Sequence, residues 1–459
     1  MKSGSSNHQI TEGVIWKQLL IFFFPILLGT FFQQMYNTVD TIIVGRAVGT
    51  QALAAVGTTG PLMNLVNGFF TGFSSGATVV LAQFYGARDQ SGVRKTIHTS
   101  IALALAMGIV GTVFGCFAGP AILRLIKTPE DCIRQASVYT RIYFAGITAT
   151  TVYNMGSGLL RAMGDSKRPM IFLIITCFVN IIMDLLLVVV FQMGVAGAAI
   201  ATVIAQVVSA VLVVLALMHL PEGSNLHLRN LSFDRSVVGS IMRIGLPGGL
   251  QFTTFDAANV LIQGGINSFG SVVMAAWAAY SKTEAIMWMI STALGVAVTT
   301  FVGQNFGAQK YSRIRQSVRT GLTMSVVLIG SLCGVVIFFR NPILGIYSTD
   351  QEVIAMGARI LLWIMPYIVI YMPAEAFAGA MRGTGYAIAP TVITFCCVSV
   401  FRVLWVLTVV NRFHTPAVLA MSYPISWTMC ALAFTAVYLR GTWLKKPIAQ
   451  CGMEPETRT

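Results

Sequence analysis

Two aspartates stand inside stretches apolar enough to cross a bilayer. One is Asp40, in "FFQQMYNTVDTIIVG" (31–45), and the other is Asp184, in "FVNIIMDLLLV" (178–188). A charge in the middle of a spanning helix costs about 2.5–3.5 kcal/mol on insertion scales, so each needs a role. Tyr36 lies four residues before Asp40 and Asn180 four before Asp184, so each pair shares a helix face. At 1.5 Å per residue both carboxyls sit about 10 Å below the outer surface. Thr202, in the next apolar run, reaches the same depth. Two acids sharing a dry site cannot both stay ionised, so the pair can hold one proton between them. The same oxygens, with Asn180 and Thr202, would also suit a hard cation such as sodium. The blander alternative is a hydrogen-bonded pair joining two helices, which does not require two carboxylates.

Further along, Asp256 lies midway through an apolar run, and Glu375 has Tyr371 one turn before it. Arg402 is a cation near the middle of another run and needs a partner, for which Glu375 or Asp256 would serve. These four residues read equally as a structural ion pair or as a substrate or second cation site. Glu284, beside Lys282 in "YSKTEAIMW", reads as half of a pair at the membrane interface. Pro25 leaves a backbone carbonyl unpaired fifteen residues before Asp40 and marks a bend, a candidate hinge.

Other signals carry less. "GFSSG" (72–76) has the spacing of a hydrolase nucleophile, but it lies in a helical run without a strand–turn–helix setting. It reads as small-residue helix packing. The eight cysteines show no CxxC or zinc spacing; Cys132 alone is expected in an outward loop, so no external disulfide is expected. No metal cluster, catalytic dyad or phosphate loop supports an enzyme, and no cofactor is expected.

The elements that must position these groups are helices in a membrane. Of 459 residues 56% are hydrophobic and only 10% charged, against about 25% charged in soluble proteins. The first apolar run is too long for a cleavable signal and is expected to stay as helix 1. Apolar runs near 15–44, 52–82, 97–126, 136–160, 169–191 and 195–218 form one set. Runs near 244–268, 275–303, 317–339, 353–381, 390–410 and 416–439 form a second, with very short loops such as "GVAG" (194–197). Most Lys and Arg fall in alternate connections and the tails, which places both termini in the cytoplasm of a multi-pass protein of the cell membrane. The same bias accounts for the net charge of +14, so no nucleic acid is implied.

The two sets are copies at an offset of 221 residues. "AQFYGARDQSGVRK" (82–95) matches "GQNFGAQKYSRIRQ" (303–316), aligning Gly86 with Gly307 and Arg94 with Arg315. "LRAMGDSKRP" (160–169) matches "AMRGTGYAIAP" (380–390), aligning Arg161 with Arg382 and Pro169 with Pro390. Six spans per copy relate the copies by an axis along the membrane normal, the frame of a transporter. The expected fold is all-α: twelve transmembrane helices in two six-helix lobes, 1–219 and 244–440, with a cytoplasmic linker at 220–243 and a cytoplasmic tail at 441–459. The counterparts of Asp40, Asn180 and Asp184 are Leu261, Phe401 and Trp405, so the frame is repeated and the polar cluster is not.

With "PILLGTFFQQMYNTVDTIIVGR", "LRAMGDSKRP" and "FVNIIMDLLLV", the chain resembles the multidrug and toxic compound extrusion (MATE) transporters over its whole length. The resemblance implies an antiporter that exports small cationic amphiphilic compounds in exchange for protons or sodium ions; the chain is expected to act as a monomer. In the DinF-like branch, to which the chain is most similar, the cation site matches Tyr36, Asp40, Tyr139, Asn154, Asn180, Asp184 and Thr202 here. Asp256, Tyr371 and Glu375 are similar to the ion-binding set of the NorM-like branch. A lipid-linked-precursor flippase of the same superfamily is the nearest alternative; it would have fourteen spans and a basic cavity. A membrane-embedded enzyme or a non-transporting receptor is a more distant one.

Overall fold

The computed structural model describes residues 10–125 and 128–453. The chain's two ends, expected in the cytoplasm, and Ile126, at the end of the third expected span, lie outside them. Among the described residues there is no β-strand. A chain this apolar can satisfy its backbone inside lipid only by hydrogen-bonding within helices.

The first set of helices is α1 (Ile15–Ala47), α2 (Thr50–Gly86), α3 (Gln90–Leu125), α4 (Glu130–Ala145), α5 (Ile147–Ala162), α6 (Lys167–Val190) and α7 (Gly194–Met218). The second is α8 (Arg235–Asn267), α9 (Ser271–Gly307), α10 (Tyr311–Phe338), the short α11 (Arg340–Gly345), α12 (Gln351–Gly383), α13 (Ile388–Val410) and α14 (Pro416–Arg440), followed by α15 (Thr442–Gln450). α4 and α5 make one span interrupted at Gly146. Ten helices among the described residues are long and apolar enough to cross a membrane. The two remaining expected spans, α4–α5 and α8, are the less apolar ones, and α8 carries a stripe of polar residues.

The 221-residue offset is visible in the backbone. α2 and α9 both have 37 residues and begin 221 apart. Left-handed backbone recurs at the same spacing: Gly49 (φ 113°) and Gly270 (φ 87°), Arg88 and Gln309 (both φ 57°), Gly164 (φ 91°) and Gly385 (φ 86°). Each ends a helix or opens the next, and at the four glycines the turn carries no Cβ penalty.

The chain divides into two compact units, Ile21–Gly249 and Leu250–Thr459 with the described residues up to Leu20. Both boundaries fall inside helices, in α1 and in α8. In the first unit α2, α3, α4, α5 and α7 pack on one another; in the second, α9, α10, α12 and α14 do. "GFSSG" is helix packing, as its composition suggested. A Cβ on Gly72 would meet the Gly248 carbonyl oxygen at 2.5 Å, and one on Gly76 the Gly245 nitrogen at 2.6 Å. The two helix backbones touch there.

Several details differ from the sequence reading. "GVAG" is the first turn of α7; the reversal is at residues 191–193, with Gln192 at φ 52°. Cys132 lies in α4, not in a loop, and is buried. The 220–243 segment, expected as the linker, packs on the first unit. Leu226 N–H donates to the Leu217 carbonyl, His227 N–H to His98 Nε2, and α8 already begins at Arg235. Asp234 caps that helix, accepting from the Ser236 and Val237 N–H groups and facing Lys95 Nζ at 3.6 Å. The Val237 hydrogen bond, above all, holds its carboxyl below the usual range. In the tail, Thr384 donates to the Trp443 carbonyl, and Trp443 is buried against Tyr438.

Candidate functional site

The first unit gathers the expected cluster. Asp40 of α1 and Asp184 of α6 are both buried, and their carboxyls lie within hydrogen-bonding reach of each other. Oδ1 of Asp40, both carboxyl oxygens of Asp184 and both amide atoms of Asn180 have no other hydrogen-bond partner among the described residues. Buried polar atoms without partners are costly, so this set is built to receive something. A proton shared between the two carboxyls would satisfy it. So would a monovalent cation accepting their lone pairs with the Asn180 oxygen.

Thr202 is buried on α7 and donates to the Ala198 carbonyl, which leaves its oxygen lone pairs available. Tyr36 and Tyr139 stand close enough to Asp40 to feel its charge. Tyr139 stacks on Tyr143, whose hydroxyl accepts from Asn67 at 2.7 Å. Asn154 is half-buried on α5, and its carbonyl accepts from Ser157. Residues Leu185–Val190, directly after Asp184, form a π-helical turn, and Val406–Val410 repeats it one offset later. Such turns add a residue to the helix and re-aim the side chains beside them.

The second unit holds a cavity of about 530 Å³. Helical periodicity brings its walls together. Trp277, Ser281, Glu284, Trp288 and Thr292 form one stripe of α9, and Tyr371, Glu375 and Arg382 one stripe of α12. Asp256 comes from α8, Arg402 from α13, and Tyr423 and Trp427 from α14. The rings form a continuous network: Trp288 contacts Tyr371 with centroids 5.4 Å apart, Trp427 contacts Trp288 and Tyr423, and Tyr423 contacts Trp277.

All four C-lobe residues singled out from sequence line this cavity, but their pairing differs from expectation. Glu375 is held by Arg382, Nη2 to Oε1 at 3.2 Å, not by Arg402. The two lie seven residues apart on one helix face, a spacing the sequence already contained. A Cβ on Gly295 would meet Glu375 Oε1 at 2.6 Å, so that glycine makes room for the pair. Arg402 instead donates from Nε to Ser426 Oγ at 2.9 Å and lies over the Tyr423 ring at 4.0 Å. Glu284 is buried and accepts from Trp288 Nε1 at 2.9 Å, so it belongs to the cavity wall and not to an interface pair with Lys282. The sequence reading missed Glu284, Arg382 and the tryptophans as cavity residues. For Trp277, Glu284 and Trp288 the signal was the i, i+4, i+7 recurrence of polar and aromatic residues in α9, and for Arg382 its spacing of seven from Glu375.

The repeat makes the two sites comparable position by position. Asn67, Thr150, Asn154, Thr202 and Gln206 in the first copy correspond to Trp288, Tyr371, Glu375, Tyr423 and Trp427 in the second. The same places on the frame carry small polar groups in one lobe, and rings with an acid in the other.

A family model described as MatE matches residues 25–186 and 250–407, two segments that end 221 residues apart. The chain is 27% identical over 445 residues to "Probable multidrug resistance protein YoeA" of Bacillus subtilis, covering 95% of this chain and 96% of that protein. It is 21% identical over 427 residues to "Multidrug export protein MepA" of Staphylococcus saprophyticus, covering 93% and 94%. Among solved structures, it superposes on an outward-facing multidrug resistance MATE family transporter of the MOP superfamily. The TM-score is 0.89 at 21% identity, over 97% of this chain and 100% of that one.

Proposed function

The chain belongs to the MatE family, a multi-pass membrane transporter and not an enzyme, and we propose that it is a secondary antiporter. On this reading it exports cationic amphiphilic compounds in exchange for protons or sodium ions, by alternating access. The observation that carries it is the facing Asp40 and Asp184 carboxyls, with buried oxygens that no other group among the described residues satisfies. A site of that kind changes occupancy readily: it takes up a proton or sodium ion from one side and releases it to the other. The aromatic cavity of the C-lobe supplies the other half. Ring faces and carboxyls attract an organic cation, and a cavity of its size suits a drug-sized molecule. The experiment is efflux of a fluorescent organic cation from vesicles, with a proton gradient and a sodium gradient imposed separately. Efflux that ignores both gradients would overturn the antiport reading.

Two expected outcomes follow from this division of labour. Asp256→Asn and Glu375→Gln should alter substrate range or affinity by up to about tenfold yet retain gradient-driven efflux. Neither residue belongs to the coupling pair, and Glu375 is neutralised by Arg382. Loss of coupling in either variant, with coupling kept in Asp40→Asn, would reverse the assignment. The second concerns Pro25, inside α1 and on the same helix as Asp40. As a hinge, it lets α1 bend when occupancy changes, so Pro25→Ala should slow turnover more than it weakens ion binding. Unchanged turnover would reduce Pro25 to a static kink.

A further inference from the structure

We propose that Arg402 is the anion-binding residue of the C-lobe cavity, selecting aromatic substrates that carry a carboxylate or a similar group. This rests on reading the cavity as the substrate site. Arg402 is 2% exposed and lines the cavity wall. One edge of its guanidinium is spent: Nε donates to Ser426, and the group lies over the Tyr423 ring at 4.0 Å, with the Trp427 ring 5.6 Å away. Nη2 is buried and has no acceptor among the described residues.

The acids that could have neutralised it do so poorly. Glu375 is engaged by Arg382, and Oε1 of Glu284 by Trp288. Glu284 lies near enough to feel the charge of Arg402, yet the two form no ion pair among the described residues. A guanidinium cannot shed its proton to relieve burial, so a held, half-satisfied one waits for an acceptor. Its planar fork matches a carboxylate, sulfonate or phosphonate. The surrounding rings supply the surface for an aromatic body, and Asp256 on α8 offers a partner to a cationic end. In the first lobe the position equivalent to Arg402 is Ile181, so the cation belongs to one copy only.

Rhodamine 110 and its methyl ester, rhodamine 123, test this directly, since they share the ring system and differ in one free carboxylate. Binding would be followed by fluorescence anisotropy on the purified full chain in nanodiscs. The wild type should prefer the acid to the ester. Arg402→Gln should reduce that preference, the ratio of acid to ester affinity, by about tenfold. Arg402→Lys should keep part of the preference, because a point charge replaces the fork. An unchanged preference in Arg402→Gln overturns the proposal. So does a wild type indifferent to the carboxylate, which needs no variant to fold. Trp427→Ala and Asp256→Asn separate the two levels. If they weaken both probes while Arg402→Gln does not discriminate, this inference alone falls. If neither affects either probe, the cavity is not the substrate site and the reading beneath it falls too.

Discussion

Asp40→Asn is expected to bring gradient-driven efflux down to the rate of vesicles lacking the protein, a loss of more than about tenfold. The substitution keeps size and shape and removes only the ability to hold and release a proton or to balance a cation. Asp40 and Asp184 face each other in a site where three carboxyl oxygens lack any other partner among the described residues. An amide at position 40 can donate to the Asp184 carboxyl, so folding and insertion should survive. Asp184→Asn should have the same effect, because the two acids act as one site. The double variant should lose nothing further, since groups working as a unit are strongly non-additive. Antiport by correctly inserted Asp40→Asn protein, at a rate near wild type, would show that the pair is only a structural staple.

Gly76→Ala is expected to prevent the first unit from assembling. The new Cβ would sit 2.6 Å from the Gly245 nitrogen, 2.7 Å from the Gly245 Cα and 2.7 Å from the Ile241 carbonyl oxygen. All three are backbone atoms and cannot swing aside, so α2 and α8 must separate. Overpacking of this kind costs about 1–3 kcal/mol even where side chains can adjust, and more where they cannot. Gly57 on the same helix provides the control, because a Cβ there meets nothing within 4 Å. Gly57→Ala should be neutral, or stabilising by about 0.5–1 kcal/mol through helix propensity. The check is the melting temperature in detergent, followed by fluorescence-detected size exclusion. Equal melting temperatures for Gly76→Ala and wild type would mean that the two backbones do not meet as described.

The amino-acid sequence by itself determined the membrane class, the all-helical fold and the repeat. Each follows from a constraint that acts along the chain. Lipid forces backbone hydrogen bonds inside each helix, so apolar runs become spans. A duplicated frame needs the same turns at the same spacing, so Gly164 and Gly385 share a left-handed backbone. The buried acids could be singled out for a similar reason, since their insertion cost is paid residue by residue. One of the two less apolar spans is so because of the cavity: α8 is a less apolar membrane helix because Asp256, Asn259 and Gln263 line it.

What the tertiary structure decided is which groups meet across helices. Arg402 on α13 meets Ser426 and the Tyr423 ring on α14 rather than Glu375 on α12, because adjacency between α12, α13 and α14 is set by packing. Glu284 turned from an interface residue into a cavity wall once the face of α9 that carries it was covered. Hydrophobic periodicity fixes which face of a helix is buried, but not which neighbour buries it. That choice is made by close contacts such as the one between Gly76 and Gly245, where the absence of a side chain lets two backbones touch.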